Sequence, residues 1–220
     1  MKMLRNNRGY ILVTALVTAL PILVGVILWN RLPDTIATHF DSNGAADGWS
    51  GKGFAVFGLP LLLVGIHLLC TVVTTLDPRR RNIQKKLFHL VLWICPAISV
   101  FVMSGIYLYA LGVPVDMTRL AGILVGLLFV IIGNYLPKCR QNYTIGIRIP
   151  WTLDDPENWN KTHRMAGWLW MGAGVVFLVL SLLGHMNFPV VVMLVLAVSA
   201  VPAVYSYLYA LNRETKKGRS

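Results

Sequence analysis

FAVFGLPLLLVGIHLLCTVVTTLDPRRRNIQKK, residues 54–86, joins a run of 23 residues without Asp, Glu, Lys or Arg to a connection in which five of ten residues are Lys or Arg. A hydrocarbon core of about 30 Å takes roughly 20 helical residues to cross. The run therefore reads as a membrane-crossing helix, and the cations that follow it read as an anchor on one side.

Composition points the same way. The 220 residues are 56% hydrophobic and 13% charged, with a mean hydropathy of +0.63, too little polar surface for an ordinary soluble domain. The expected spans are Tyr10–Trp29, Phe54–Leu76, Leu87–Leu111, Leu120–Leu136, Met165–Leu183 and Val190–Leu211. The fold class is all-α, a polytopic membrane helix bundle with six transmembrane helices. Pro21, Pro60, Pro96 and Pro202 fall inside spans, where packed membrane helices tolerate a kink. Gly122 and Gly126 form a GxxxG, and Gly167, Gly172 and Gly174 thin another helix; both patterns read as close packing. The first run follows Lys2, Arg5 and Arg8 as a signal peptide would. It is longer than a typical apolar signal region and no small-x-small cleavage site follows, so it is read as a retained helix.

The cations divide unequally. Assigning alternate connections to opposite sides puts 17 of the 20 Lys and Arg on one side and leaves Arg31, Lys52 and Arg119 on the other. By the positive-inside rule both termini are cytoplasmic. The net charge of +11 then needs no nucleic acid to explain it, and DPRRRNIQKK (77–86) is a topology signal that also attracts anionic membrane lipids. Two parts are expected: residues 1–76, with two spans and an extracellular loop at 30–53, and residues 77–220, with four spans and a cytoplasmic loop at 137–164.

Two connections carry most of the remaining information. The cytoplasmic one contains NYTIGIRIPWTLDDPENWNKTHRMAGW (142–168). Its first half alternates Tyr143, Ile145, Ile147 and Ile149 with Thr144, Gly146, Arg148 and Pro150, which suits an extended segment. Asp155 as N-cap, Pro156 at the first position and Glu157 in the first turn begin a helix. That helix places Trp159, His163 and Ala166 on one face. Arg148 and Arg164 are expected near Asn134 and Asn142, closing a polar pocket. An interfacial belt of Trp and Tyr is the plainer reading of the same stretch.

The extracellular loop, RLPDTIATHFDSNGAADGWSGKG (31–53), is rich in turn residues and reads as a pair of Asx-stabilised turns. His39, Asp41, Asn43 and Asp47 carry ligand atoms but lack the spacing of a calcium loop. Cys70, Cys95 and Cys139 show neither CxxC pairing nor metal-ligand spacing. No metal, cofactor or disulfide framework is expected. His67, inside the second span, has no acidic residue in any span as a relay partner and reads as hydrogen-bonded to a neighbouring helix.

These two loops also resemble a family. LPDTIATHFDSNGAADGWSGK is similar to the extracytoplasmic module of the SdpI family, with its Leu-Pro, His-Phe, Gly, Asp-Gly-Trp and Lys. GNYLPKCRQNYTIGIRIPWTLDDPENWNKTHRMAG resembles that family's second signature: Gly-Asn-Tyr, Asn-Tyr, Gly-Ile-Arg, Pro-Trp-Thr and Thr-His-Arg. Asn134, Asn142, Gly146, Arg148, Trp151, Thr152, Trp159, Thr162, His163 and Arg164 fall on that pattern. The resemblance implies a bacterial cell-membrane protein that protects its producer against a secreted peptide toxin. It further implies a relative that holds a soluble transcriptional repressor at the membrane.

The leading expectation is thus a non-catalytic immunity protein whose extracellular loop, through His39, Asp41, Asp47 and Trp49, meets the toxin. A signalling protein whose basic cytoplasmic face sequesters a repressor is the second reading. The third is an enzyme on lipid-linked substrate, with His163 as acid or base and Arg148 or Arg164 on phosphate. It is disfavoured, because no nucleophile with an adjacent base, no metal cluster and no intramembrane carboxylate is visible.

Overall fold

The computed structural model describes residues 2–217; Met1 and residues 218–220, with Arg219 of the C-terminal cations, lie outside the described residues. Among the described residues, six helices are long and apolar enough to cross a membrane. They are α1 (Arg8–Ile27), α2 (Leu59–Leu76), α3 (Lys85–Ala110), α4 (Met117–Tyr135), α5 (Pro156–Leu182) and α6 (Phe188–Lys217). The protein is a polytopic helical membrane bundle. A π-helical turn at Phe54–Gly58 leads into α2.

Helix α5 begins at Pro156, where the Asp-Pro-Glu start signal places it, and continues without a break through the fifth span. Asp155 caps it as expected, its carboxylate accepting the Glu157 N–H at 2.9 Å. The polar segment Pro156–Arg164 is therefore a rigid extension of the span.

The first connection is more than a pair of turns. It forms strands β1 (Thr35–Phe40) and β2 (Ala46–Gly51) in an antiparallel hairpin. The turn reading holds between them, where Asp41 Oδ1 accepts from the Asn43 and Ala45 N–H groups at 2.9 and 2.8 Å. Gly44 there has φ +82°, backbone that favours glycine. Ile36 and Ala37 bury one part of β1, whereas the abundance of Asp, Asn and Gly in the loop conceals so short a strand signal.

The chain divides into two compact units, Met1–Thr75 with Phe88–Leu124, and Leu76–Leu87 with Val125–Ser220. In the first, Leu32 and Ile36 from the hairpin region pack with Ala55, Val56, Met103, Ile106 and Tyr107. Gly25 lets α1 reach that core, since a Cβ there would lie 2.7 Å from Val56 Cγ1. Buried polar groups along these spans bond either carbonyls of their own helix, as Thr71 and Thr74 do, or groups on neighbouring helices, as an apolar surround requires. Tyr107 donates to the Pro21 carbonyl at 3.0 Å, Ser99 donates to the Thr18 carbonyl at 2.7 Å, and His67 Nε2 lies 3.1 Å from Thr14 Oγ1.

In the second unit, α4 and α5 meet along glycines. A Cβ on Gly126 would stand 2.9 Å from the Gly174 carbonyl oxygen, and one on Gly133 would stand 2.9 Å from that of Gly167. The two pairs run in opposite sequence directions, so these helix segments are antiparallel. With lipid as apolar as leucine, close backbone approach supplies the packing energy. On α4 this seam runs through Gly126 and Gly133. Helices α5 and α6 are clamped by Asn158, whose amide donates to the Ser206 carbonyl at 2.9 Å while its oxygen accepts from Thr162 and Ser206 hydroxyls at 2.9 and 2.8 Å.

Candidate functional site

The connection before α5 is organised by one side chain. Asn142 is buried, and its Oδ1 accepts from the Thr144 and Ile145 N–H groups at 2.9 and 2.7 Å. Its amide nitrogen donates to the carbonyls of Arg140 and Ile145 at 2.8 and 3.1 Å. Residues 142–146 are therefore a tight turn, not the extended segment expected from alternation. Local side-chain bonds of an Asn outcompete a strand with no neighbour to pair with. Gly146, at φ +109°, leaves the turn.

His163 holds the next residues. Its ring stacks on Trp159 with centroids 4.0 Å apart, as the expected helix face requires. Nε2 accepts from the Ile147 N–H at 2.9 Å, and Nδ1 lies 2.8 Å from the Trp159 carbonyl. An N–H on one side and a carbonyl on the other admit only the neutral tautomer protonated at Nδ1. Trp159 in turn donates its indole N–H to the Cys139 carbonyl at 2.7 Å. Thr152, buried in a short helical turn at Pro150–Asp154, donates to the Ile147 carbonyl at 2.7 Å and accepts from the Ile149 N–H at 3.1 Å. Burial pushes the Cys139 thiol up to about 11, against a hydrogen bond from Asn142 that lowers it.

Sequence reading missed a central participant, Asp77. It is buried at the end of α2, where Oδ1 accepts from the Arg79 N–H at 2.6 Å. Its Oδ2 takes the Tyr143 N–H at 2.9 Å and the Thr144 hydroxyl. Asn82 donates to the Gln141 carbonyl at 2.7 Å, so the two basic connections are bound together on one side of the unit. Asp77 lies in the charge run 77–86, where its being the sole acid among five cations, followed by proline, is the signal the sequence offers. Asn158 was also missed, although it precedes Thr162 by one helical turn.

The polar pocket expected from Asn134, Asn142, Arg148 and Arg164 does not form as such. Asn142 is spent within its own turn. Asn134, exposed, accepts from Lys138 of its own helix end at 3.2 Å. Arg148 is exposed and donates to the Tyr143 carbonyl at 2.8 Å. Arg164 is exposed and has no hydrogen bond or ion pair among the described residues. Trp151 lies half in solvent, its ring centroid 5.0 Å from that of Tyr207. The signature thus separates into a buried, mutually bonded set (Asn142, Thr152, Trp159, Thr162, His163) and an exposed one (Asn134, Arg148, Trp151, Arg164). At the helix start, burial works to raise the Asp155 carboxyl, but its bonds to Arg213 and to the Glu157 N–H outweigh this and hold it below the ordinary value.

On the hairpin, His39 Nδ1 and Asp47 Oδ1 lie 2.5 Å apart across the strands. Gly48 permits this, since a Cβ there would stand 2.9 Å from His39 Cβ. Trp49 is 60% exposed beside this pair. Asp41 is used by the turn. Lys52 closes the base of the loop, 3.1 Å from Asp34 and over the Trp29 ring at 5.3 Å. No group of three His, Cys, Asp or Glu among the described residues is arranged to hold a metal ion.

Comparison with known proteins places the two loops in different family models. The model of the SdpI/YfhL protein family matches residues 138–207. A domain of unknown function, DUF1648, matches residues 16–64 and so contains the hairpin. The chain is 27% identical over 199 residues to "Immunity protein SdpI" of Bacillus subtilis (strain 168), covering 90% of this chain and 94% of that one. No solved structure matches it. The resemblance to the SdpI family is therefore shown: residues 138–207 carry the family's region, in a chain similar to an SdpI immunity protein along nearly all of its length.

Proposed function

We propose that the chain is a membrane immunity protein that protects its cell from a secreted, membrane-active peptide toxin by binding, without catalysis. The observation that carries this reading is the likeness to the immunity protein over 90% of the chain. In this reading both termini are cytoplasmic and the hairpin faces outward. Its His39–Asp47 pair and exposed Trp49 give an arriving peptide a polar group beside a large apolar ring, the combination that anchors many interfaces. The state of His163 supports binding over the enzyme reading, since both ring nitrogens are committed to backbone groups.

The test is survival of toxin-sensitive cells expressing the chain when challenged with the peptide secreted by the strain that carries it. Protection is expected from the parent, and reduced protection from Asp47→Ala combined with Trp49→Ala at equal protein level. No protection from the parent ends the proposal; full protection from the double variant removes the hairpin from it.

A further inference from the structure

Arg79 stands three residues beyond the end of α2, with its guanidinium carbon 4.6 Å from the centroid of the Tyr143 ring. Its backbone N–H is taken by Asp77. Its guanidinium makes no hydrogen bond among the described residues, and Nη1 is buried without a partner. A buried donor left unpaired is costly enough that native structures rarely keep one without a ligand, ion or water to accept it. A second guanidinium comes to the same residue: Arg148 spends Nη1 on the Tyr143 carbonyl at 2.8 Å and is otherwise exposed. Asp77 forms no salt bridge with either guanidinium among the described residues: its carboxylate oxygens accept from the Arg79 and Tyr143 N–H groups and the Thr144 hydroxyl, so its single charge offsets at most one of the two cations.

We infer that Arg79, Tyr143 and Arg148 form a binding site for a phosphate group. A planar guanidinium fork matches phosphate oxygens in pairs, and an aromatic face keeps such a fork oriented. Leu76 ends α2 and Lys138 ends the helical stretch begun by α4, so Arg79 and Tyr143 lie a few residues past two span ends, at the depth of lipid headgroups. The phosphate comes either from an anionic phospholipid or from a soluble phosphate compound. Tyr143 is 44% exposed, which leaves the site open to both.

The full chain, purified in detergent, is presented with phosphatidylglycerol and phosphatidylcholine, and retained lipid is counted by native mass spectrometry with and without inorganic phosphate. Preferential retention of phosphatidylglycerol is expected. Retention that resists inorganic phosphate assigns the site to lipid, and displacement assigns it to a free phosphate group. Arg79→Gln and Arg148→Gln should each weaken binding about tenfold, the worth of a charge-assisted hydrogen bond. Arg79→Lys should weaken it too, having lost the fork. Lys85→Gln with Lys86→Gln, which removes two exposed cations of the same connection, should not. Arg148→Gln changes an exposed side chain, so it carries the test should Arg79→Gln not fold. Equal weakening by the lysine pair would reduce the site to diffuse surface charge and overturn the inference. Unchanged binding in the arginine variants, or none of either probe by the parent, would overturn it as well.

Discussion

His163 and Ile147 are joined by a hydrogen bond in which the ring nitrogen Nε2 accepts the backbone N–H at 2.9 Å. The bond pins a loop to a helix that continues into a span, and it requires a neutral imidazole. The histidine in the Thr-His-Arg signature therefore acts here as a backbone acceptor.

His163→Phe keeps the stacking on Trp159 but leaves the Ile147 N–H and the Trp159 carbonyl without their side-chain partner. A loss of about 1–3 kcal/mol in stability is expected. Arg164→Lys, on an exposed side chain without partners among the described residues, should match the parent. Thermal unfolding in detergent measures both, and parent-like stability for His163→Phe would show that the bond carries no weight.

Gly146→Ala should destabilise more than His163→Phe. Its φ of +109° is strained for any residue with a Cβ, and that Cβ would collide with His163 Nε2. Gly172→Ala is the control, because a Cβ there meets nothing within 4 Å. Comparable unfolding temperatures for the two variants would refute the crowded geometry.

The glycine seam makes a separate prediction. Gly174→Val forces α5 away from α4, since even a Cβ would lie 2.7 Å from the Gly126 carbonyl oxygen. Overpacking of this kind costs roughly 1–3 kcal/mol or more. Reduced folded yield by size-exclusion chromatography is expected, whereas a normal yield would mean that α4 and α5 are not in backbone contact at Gly126 and Gly174.

Orientation is tested by cysteine labelling with a membrane-impermeant reagent. Ser42 and Arg81 are both exposed, and among the described residues neither side chain bears a hydrogen bond that the substitution would break. Ser42→Cys should label in intact cells and Arg81→Cys only after permeabilisation. The opposite pattern would reverse the proposed sidedness and turn the hairpin inward.

Cys139 should be inert in the folded chain. With its thiol pushed up to about 11 by burial, the reactive thiolate is about one part in a thousand at pH 8. Alkylation should appear only on unfolding, which mass spectrometry after iodoacetamide treatment can follow. Rapid modification of the native protein would mean that the Asn142 turn is open.

Six helices were legible because an uncharged run long enough to cross a membrane is a property of consecutive residues, and the Asp155-Pro156 helix start is equally local. The hairpin was not, since its strand signal is short and crowded by turn residues. Nor was the Asn142 turn, where alternation of Ile and polar residues suggested extension but a side chain supplied the backbone with nearer partners.

By itself, then, the sequence determined the spans, the helix that carries Trp159 and His163 on one face, and the uneven placing of cations. Only the tertiary structure decided what those residues do. It brought Asp77 to Tyr143, 66 positions away, with an N–H to carboxylate distance of 2.9 Å. It paired Gly126 with Gly174 and set Asn158 against Ser206. It also sorted one polar signature into buried bonds and exposed cations. The physical reason is that hydropathy and capping act over a few neighbouring residues, whereas a buried donor must find its acceptor wherever the folded chain brings one.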